Sequence, residues 1–538
     1  MNASQPSAEE TKTLSAASRR ERTGRHAFLV AAGILISRFI GLVRQRVFAH
    51  YFGRSDAADA FLAAFRVPNV LQNLFGEGVL SASFIPVYAH LLAKEDEEEA
   101  GRVAGAVGAV LGLTASLLVL AGVLAAPYLI WVIAPGFHGE KRELTIQLVR
   151  IFFPGAGLLV FSAWCLGILN SHRKFFLSYT APVIWNAAMI ATLVIFGGTQ
   201  LNALAVDLAW GSVIGSGLQF GVQLPVVLRL TRKLRLRLDT QAGHVREVLR
   251  NFIPVFFSRG VVQISAYVDQ VIASLVGEGA VSALAYSQSI ATLPVSLFGM
   301  AISAAELPAM SSALGDAEGV AAQLRARLDA GLRRIAFFVV PSAMAFLAMG
   351  DVITAALFQT GKFTHDDSLY GWAILAGSSV GLLASTLGRL YSSTYYALRD
   401  TRTPLRYAVV RVSLTTTLGY LCAILVPRWT GIDARWGMAG LTASAGLAGW
   451  VEFTLLRRTL NQRIGRTGLR ASMAAKLWIS AALAAGAAWG GKLVIGRHGP
   501  VLSALAILSI YGVVYFAATY LLGIEECRVA LKRLMRSV

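Results

Sequence analysis

The chain has 538 residues, 55% hydrophobic and 15% charged, with a mean hydropathy of +0.59. A soluble domain carries about 25% charged residues, so this composition leaves too little polar material to cover a water-facing surface. The net charge of +19 would suggest nucleic-acid binding in a soluble chain, but the basic residues sit in short connections between apolar runs, and no Walker A, zinc-ligand or disulfide spacing occurs.

In chain order, residues 1–25 are polar and read as a disordered cytoplasmic tail. The basic end of that tail followed by Ala27–Ile36 imitates a signal peptide, but the apolar stretch runs on without a cleavage site and predicts a first membrane helix. Apolar runs bounded by Gly, Pro or charge predict spans at 26–51, 58–92, 103–134, 144–169, 178–197 and 203–228, a first lobe over 26–229. The basic stretch Leu228–Arg246 follows, and the linker it forms, over 230–247, reads as an amphipathic helix on anionic headgroups. Spans at 248–276, 281–313, 333–350, 369–398, 405–426 and 436–456 form a second lobe over 248–460. Two more, at 473–495 and 500–523, make an appended pair over 470–524 before a cytoplasmic tail at 525–538. The predicted fold is an all-α polytopic membrane protein of fourteen transmembrane helices.

With the N-terminus placed in the cytoplasm, the inner connections hold 31 Lys and Arg against 8 in the outer ones. That asymmetry predicts an even number of spans with both termini inside. The two lobes also repeat one another. Ser37-Arg38 recurs as Ser258-Arg259, 221 residues on, while Pro86 recurs as Pro308 and Ala181-Pro182 as Thr403-Pro404, each 222 on. Gly136-Phe137 matches Gly361 and Phe363. Six helices per unit is an even number, so the two copies run parallel.

Charge inside a span costs at least ~2.5–3.5 kcal/mol at the helix centre and marks a functional candidate. The first span carries Arg38, Arg44 and Arg46, and the second carries Asp59, Arg66 and Glu77. On a helix these last three fall within about 20° of one another, with Pro68, Gly76 and Gly78 able to bend the projection. Arg259 and Asp269 lie on the seventh span, Glu306 on the eighth, Arg389 on the tenth and Arg411 on the eleventh. Arg46, Asp59, Arg250, Arg389 and Arg411, near span ends, read first as structural ion pairs or snorkelling groups. Arg38 is mid-span, where snorkelling is hard, and its fork suits bidentate capture of phosphate in a water-filled cavity.

The residues resemble the MurJ (MviN) family of lipid II flippases, within the multidrug/oligosaccharidyl-lipid/polysaccharide exporter superfamily. The likeness rests on SRFIGLVRQRVFAHYFGRSDAADAFLAAFRVPNVLQNLFGEGVLSASFIPVYA at Ser37–Ala89, APGF at Ala134–Phe137, LFQTGKFT at Leu357–Thr364 and RDTRTP at Arg399–Pro404. The resemblance implies a bacterial inner-membrane transporter, not an enzyme, that moves lipid II, undecaprenyl-pyrophosphate carrying a disaccharide-pentapeptide, to the outer leaflet by alternating access. It implies a cationic cavity including Arg38, Arg44, Asp59, Arg66 and Glu77, and a lipid-tail groove on the last two helices. Three residues depart from it. Gln72 and Asn73 stand where relatives carry a basic pair, and Ser289 stands where they carry an arginine, with Arg259 a neighbouring source of charge. Asp269 resembles a sodium-ligating acid of some relatives, but its expected partners read Thr415 and Gly419. No cofactor is expected, sodium being the one candidate ion; membrane lipids and cell-wall synthesis proteins are the expected partners beyond lipid II, and nucleic acid is excluded.

Two other classes compete. A cation-coupled multidrug antiporter of the same fold would line its cavity with acids and aromatics, whereas arginine is in excess here. A non-transporting scaffold for wall-synthesis enzymes would not carry the cost of buried arginines.

Overall fold

The computed structural model describes residues 36–75, 80–81, 83–231, 243–312, 316–495 and 499–537, with Gly33 and Leu234, and at 253–266, 317, 495 and 533–537 it describes the backbone alone. The predicted tail 1–25, most of the linker 230–247, Glu77 and the side chain of Arg259 lie outside the described residues.

Every regular element among the described residues is helical. In order they are α1 (36–52), α2 (Asp56–Phe75), α3 (Ile85–Ala93), α4 (Glu97–Ile133), α5 (Gly139–Ser171), α6 (Phe175–Phe196), α7 (Leu201–Leu230) and α8 (Gly243–Val276). They continue with α9 (Ala280–Ser311), α10 (Ala317–Phe358), α11 (His365–Ala397), α12 (Arg402–Thr430), α13 (Gly437–Ile464), α14 (Ala471–Ile495), α15 (Pro500–Leu521) and α16 (Glu525–Ser537). Eleven of the described helices are long and apolar enough to cross a membrane. The other three predicted spans coincide with α1, described over 36–52, with α8, whose side chains are described only outside 253–266, and with α2, which carries Asp56, Asp59 and Arg66 in its 20 residues. Among the described residues, the predicted span 58–92 includes α2, α3 and helical residues at 80, 81 and 83. The predicted span 333–350 is the middle of the 42-residue α10, bent where Met349 leaves helical geometry.

On α4, Leu113, Leu117, Leu120 and Leu124 are all exposed at helical spacing, ending in exposed Tyr128 and Trp131. An apolar stripe closed by aromatics at one end is the surface a lipid bilayer demands. The chain is a multi-pass membrane protein.

Chain contacts divide the fold into two compact units. Unit 1 holds α1 through Phe48, then 60–133 and 138–264; unit 2 holds 265–538 with two short pieces, 49–59 and 134–137. In unit 1, α5 is the most enclosed helix, and Ser162 on it donates to Gln223 Oε1 of α7 (2.8 Å) while accepting from Gln219 Nε2 (2.8 Å). Such pairings hold membrane helices together where apolar burial gives no drive.

In unit 2, α11 packs so closely on α13 that a Cβ on Gly381 would overlap the Gly446 backbone. Pro341 of α10 has no N–H, so the carbonyl of Phe337 loses its helical donor. The Tyr515 hydroxyl of α15 donates to that carbonyl at 2.6 Å, and Tyr511 donates to Pro341 O at 2.7 Å.

The LFQTGKFT segment also has a structural place in unit 2. Gly53 and Gly361 both take positive φ (55° each), and at each a Cβ would strike the other's turn. Lys362 N donates to His50 O (2.8 Å), the His50 ring meets Thr360 Oγ1 (2.8 Å), and Tyr286 donates to Gly53 O (2.9 Å). Arg54 pairs with Asp367 (2.9 Å) and lies 4.6 Å from the Tyr370 ring.

Candidate functional site

In unit 1, α1 lies against α6: Gly33 faces Tyr179, and Gly41 faces Asn186. One helical turn beyond Gly41, this approach carries Arg44 onto the next turn of α6. Its guanidinium lies 4.8 Å from the centroid of Trp185 and 6.0 Å from that of Phe65. Nη1 donates to the Met189 sulfur at 3.4 Å, a weak acceptor. Arg44 Nε is buried without a hydrogen-bond partner, and no carboxylate pairs with Arg44 among the described residues. Trp185 is fixed in turn, its indole N–H donating to Ser212 O and Oγ at 3.2 Å each. Phe65 stacks on Trp185 at 5.8 Å and meets Phe152 edge-on, completing an aromatic wall.

Such a group is suited to an anion. The aromatic face holds the cation in place, and a guanidinium without a carboxylate keeps charge and N–H donors for an oxyanion ligand.

The other predicted residues are dispersed. Arg38 is exposed on α1, while Arg66 and Gln72 are partly exposed and Asn73 exposed on α2. Gln72 shares a small cleft with Phe65, Pro68 and Ser216. Ser289 donates to Tyr286 O of its own helix at 2.6 Å and brings no charge. Asp59 is fully buried in unit 2, where its two oxygens accept from Gly279 N (2.8 Å) and Ser282 N (2.7 Å). That carboxylate caps the start of α9. Glu306 pairs with Arg327 (3.6 Å) and Arg334 (3.3 Å) of α10.

The sequence model of the lipid II flippase MurJ family matches residues 48–509. The chain belongs to the MurJ family. It is 32% identical over 445 residues to the lipid II flippase MurJ of Burkholderia cenocepacia, covering 81% of this chain and 84% of that relative. It is 31% identical over 515 residues to a probable lipid II flippase MurJ of Rhizobium tropici, covering 92% and 93%. Among solved structures, a lipid II flippase MurJ in an inward closed conformation superposes with a TM-score of 0.75 at 22% identity, over 92% of this chain and 98% of that one. An inward-facing multidrug-resistance MATE transporter superposes at 0.63 with 16% identity, over 81% and 98%. These two likenesses show the fold.

Membership in the MurJ family makes this a transporter rather than an enzyme. Sequence reasoning had no means of reaching Trp185 and Met189, whose only local signal is an apolar helix.

Of the expected sodium positions, Asp269 and Thr415 line one cavity of about 280 Å³ in unit 2, and Gly419 has no side chain to offer. Gly419 is packed under Leu441, where a Cβ would lie 2.8 Å from Cδ1. Among the described residues no cluster of three acidic, His or Cys side chains could hold a metal. The same cavity contains two arginines, Arg389 and Arg411.

Proposed function

We propose that this chain carries lipid II from the inner to the outer leaflet of the cytoplasmic membrane by alternating access, supplying cell-wall synthesis. The observation that supports this most is Arg44, held over Trp185 with no carboxylate partner among the described residues and its Nε buried without an acceptor. Pyrophosphate offers the oxygens such a fork lacks. A drug antiporter would need an acid there, and Arg44 supplies the opposite charge.

This reading includes fourteen spans with both termini cytoplasmic, lobes over 26–229 and 248–460, and a lipid-tail groove over 470–524. Wall-synthesis proteins are the further partners it anticipates. The chain has no ATPase motif, so membrane potential or an ion gradient supplies the energy. The decisive experiment is replacement of an essential lipid II flippase in a depleted cell. Growth with accumulation of outer-leaflet lipid II is the expected result; lysis despite normal protein abundance would reject the reading.

A further inference from the structure

The unit 2 cavity lies among α8, α9, α11, α12 and α13. Arg411 of α12 pairs with Glu452 of α13 through a single contact of 3.4 Å. Arg389 of α11 forms no ion pair among the described residues, and Arg411 and Glu452 are the charged groups close enough to act on it. Two guanidiniums thus share one carboxylate, leaving one positive charge on the cluster. Asp269 lines another wall of the same cavity and is not among the groups acting on Arg389 or Glu452.

The arginines sit eight and nine residues from the ends of α11 and α12, roughly 12–14 Å along each helix from the turn joining them. An unbalanced charge within an apolar span is costly unless a ligand neutralises it. Thr292 of α9 and Thr415 of α12 add hydroxyls facing the same space, neither hydrogen-bonded to the described protein. A volume of about 280 Å³ holds a phosphate-sized anion with several waters.

We propose that this cavity binds a small oxyanion between Arg389 and Arg411, with Thr292 and Thr415 as additional donors. The ligand chemistry is that of phosphate or carboxylate, available either as a free ion or as an acidic group of a translocated molecule. A cation site, by contrast, would have to tolerate two guanidiniums in its wall.

The test uses the purified full-length protein in detergent, following intrinsic-fluorescence melting and calorimetric binding. Inorganic phosphate and di-D-alanine are titrated separately, each against chloride at equal ionic strength. Saturable stabilisation by at least one of them is expected. A free-ion source makes phosphate the tighter of the two, and a translocated carboxylate makes the dipeptide tighter. Arg389→Gln should weaken binding about tenfold or more, the loss of a charge-assisted contact. Arg389→Lys, which keeps charge and removes the fork, should fall between and serves if the first variant does not fold. Glu452→Gln should tighten binding several-fold by removing the competing carboxylate. No saturable response in the wild type, or equal responses in wild type and both Arg389 variants, would overturn the proposal. Because binding is read on isolated protein, that failure is distinct from failure to flip lipid II.

Discussion

The Arg44 guanidinium rests 4.8 Å from the centre of the Trp185 ring, and Trp185 is held there by two hydrogen bonds to Ser212. Three helices cooperate in this one contact: α1 supplies the cation, α6 the ring, and α7 the acceptors. The geometry fixes the position of the charge without neutralising it. A salt bridge would fix it equally well and remove its capacity to bind an anion.

Replacing Arg44 therefore removes ligand binding ahead of stability. Arg44→Ala should lower lipid II affinity about tenfold or more, consistent with charge-assisted bonds of ~1.5–3 kcal/mol, and abolish complementation. Arg44→Lys should complement weakly, and Trp185→Leu should cost about 0.5–2 kcal/mol of positioning. Immunoblots must show normal abundance in each case. Full growth of an expressed Arg44→Ala strain would remove Arg44 from the substrate path.

Asp59 should behave in the opposite way. Its carboxylate accepts two backbone N–H groups at the start of α9, so Asp59→Ala leaves buried donors unpaired at about 1–3 kcal/mol each. Asp59→Asn keeps one acceptor oxygen and should lose less. The expected signature is a lower melting temperature and reduced protein level, with substrate affinity unchanged in whatever protein folds. A variant with normal melting and lost binding would place Asp59 at the ligand instead.

How much of this was readable beforehand follows from distance along the chain. Arg44 is conspicuous because a charge in an apolar span is costly, but Met189 lies 145 residues away and differs from its neighbours by one sulfur atom. Asp59 is recognisable as a structural group near a span end, yet the helix it caps begins 220 residues later. Hydropathy locates the apolar helices and underrates α2, because Asp59 and Arg66 lower the average used to find spans. Arg389 and Arg411 are visible singly. Their shared carboxylate, Glu452, sits on a third helix, and no local spacing predicts that meeting.

The orientation has a direct test. Thr199, in the turn between α6 and α7, and Arg458, on α13, are both exposed. Cys165 and Cys527 are buried, so a Cys422→Ser background should be quiet to membrane-impermeant maleimide. Thr199→Cys should react from outside intact cells and Arg458→Cys only after permeabilisation. Reaction of both from one side would break the fourteen-span arrangement.

The Tyr515 hydroxyl answers the carbonyl that Pro341 leaves open on α10. Tyr515→Phe retains the ring and removes only the donor, so the exposed cost is that of one unsatisfied buried carbonyl, about 1–3 kcal/mol. Pro341→Ala restores the helical N–H to Phe337, and in that background the same Tyr515→Phe change should cost much less. Melting of the four proteins in a double-mutant cycle measures the difference. Additive losses would mean that the proline and the tyrosine act independently.

The RDTRTP turn predicts a dependence on acid. Asp400 accepts from Thr403 N (3.0 Å) and Thr403 Oγ1 (2.7 Å), and pairs with Arg463 at 2.7 Å. The Thr403 bonds, aided by Arg463, hold its carboxyl down at about 2. The unfolded chain titrates near the ordinary aspartate value of about 3.9, so the unfolded state binds the proton first as pH falls. The contribution of Asp400 is complete above that value and disappears as pH drops toward about 2. Asp400→Asn should lose about 0.5–2 kcal/mol at neutral pH, the usual loss for a capping carboxylate. Its deficit relative to wild type should then shrink as the sample is acidified from pH 5 toward pH 3. A deficit that stays constant over that interval would show that the turn is held by the Thr403 and Arg463 geometry without help from the Asp400 charge.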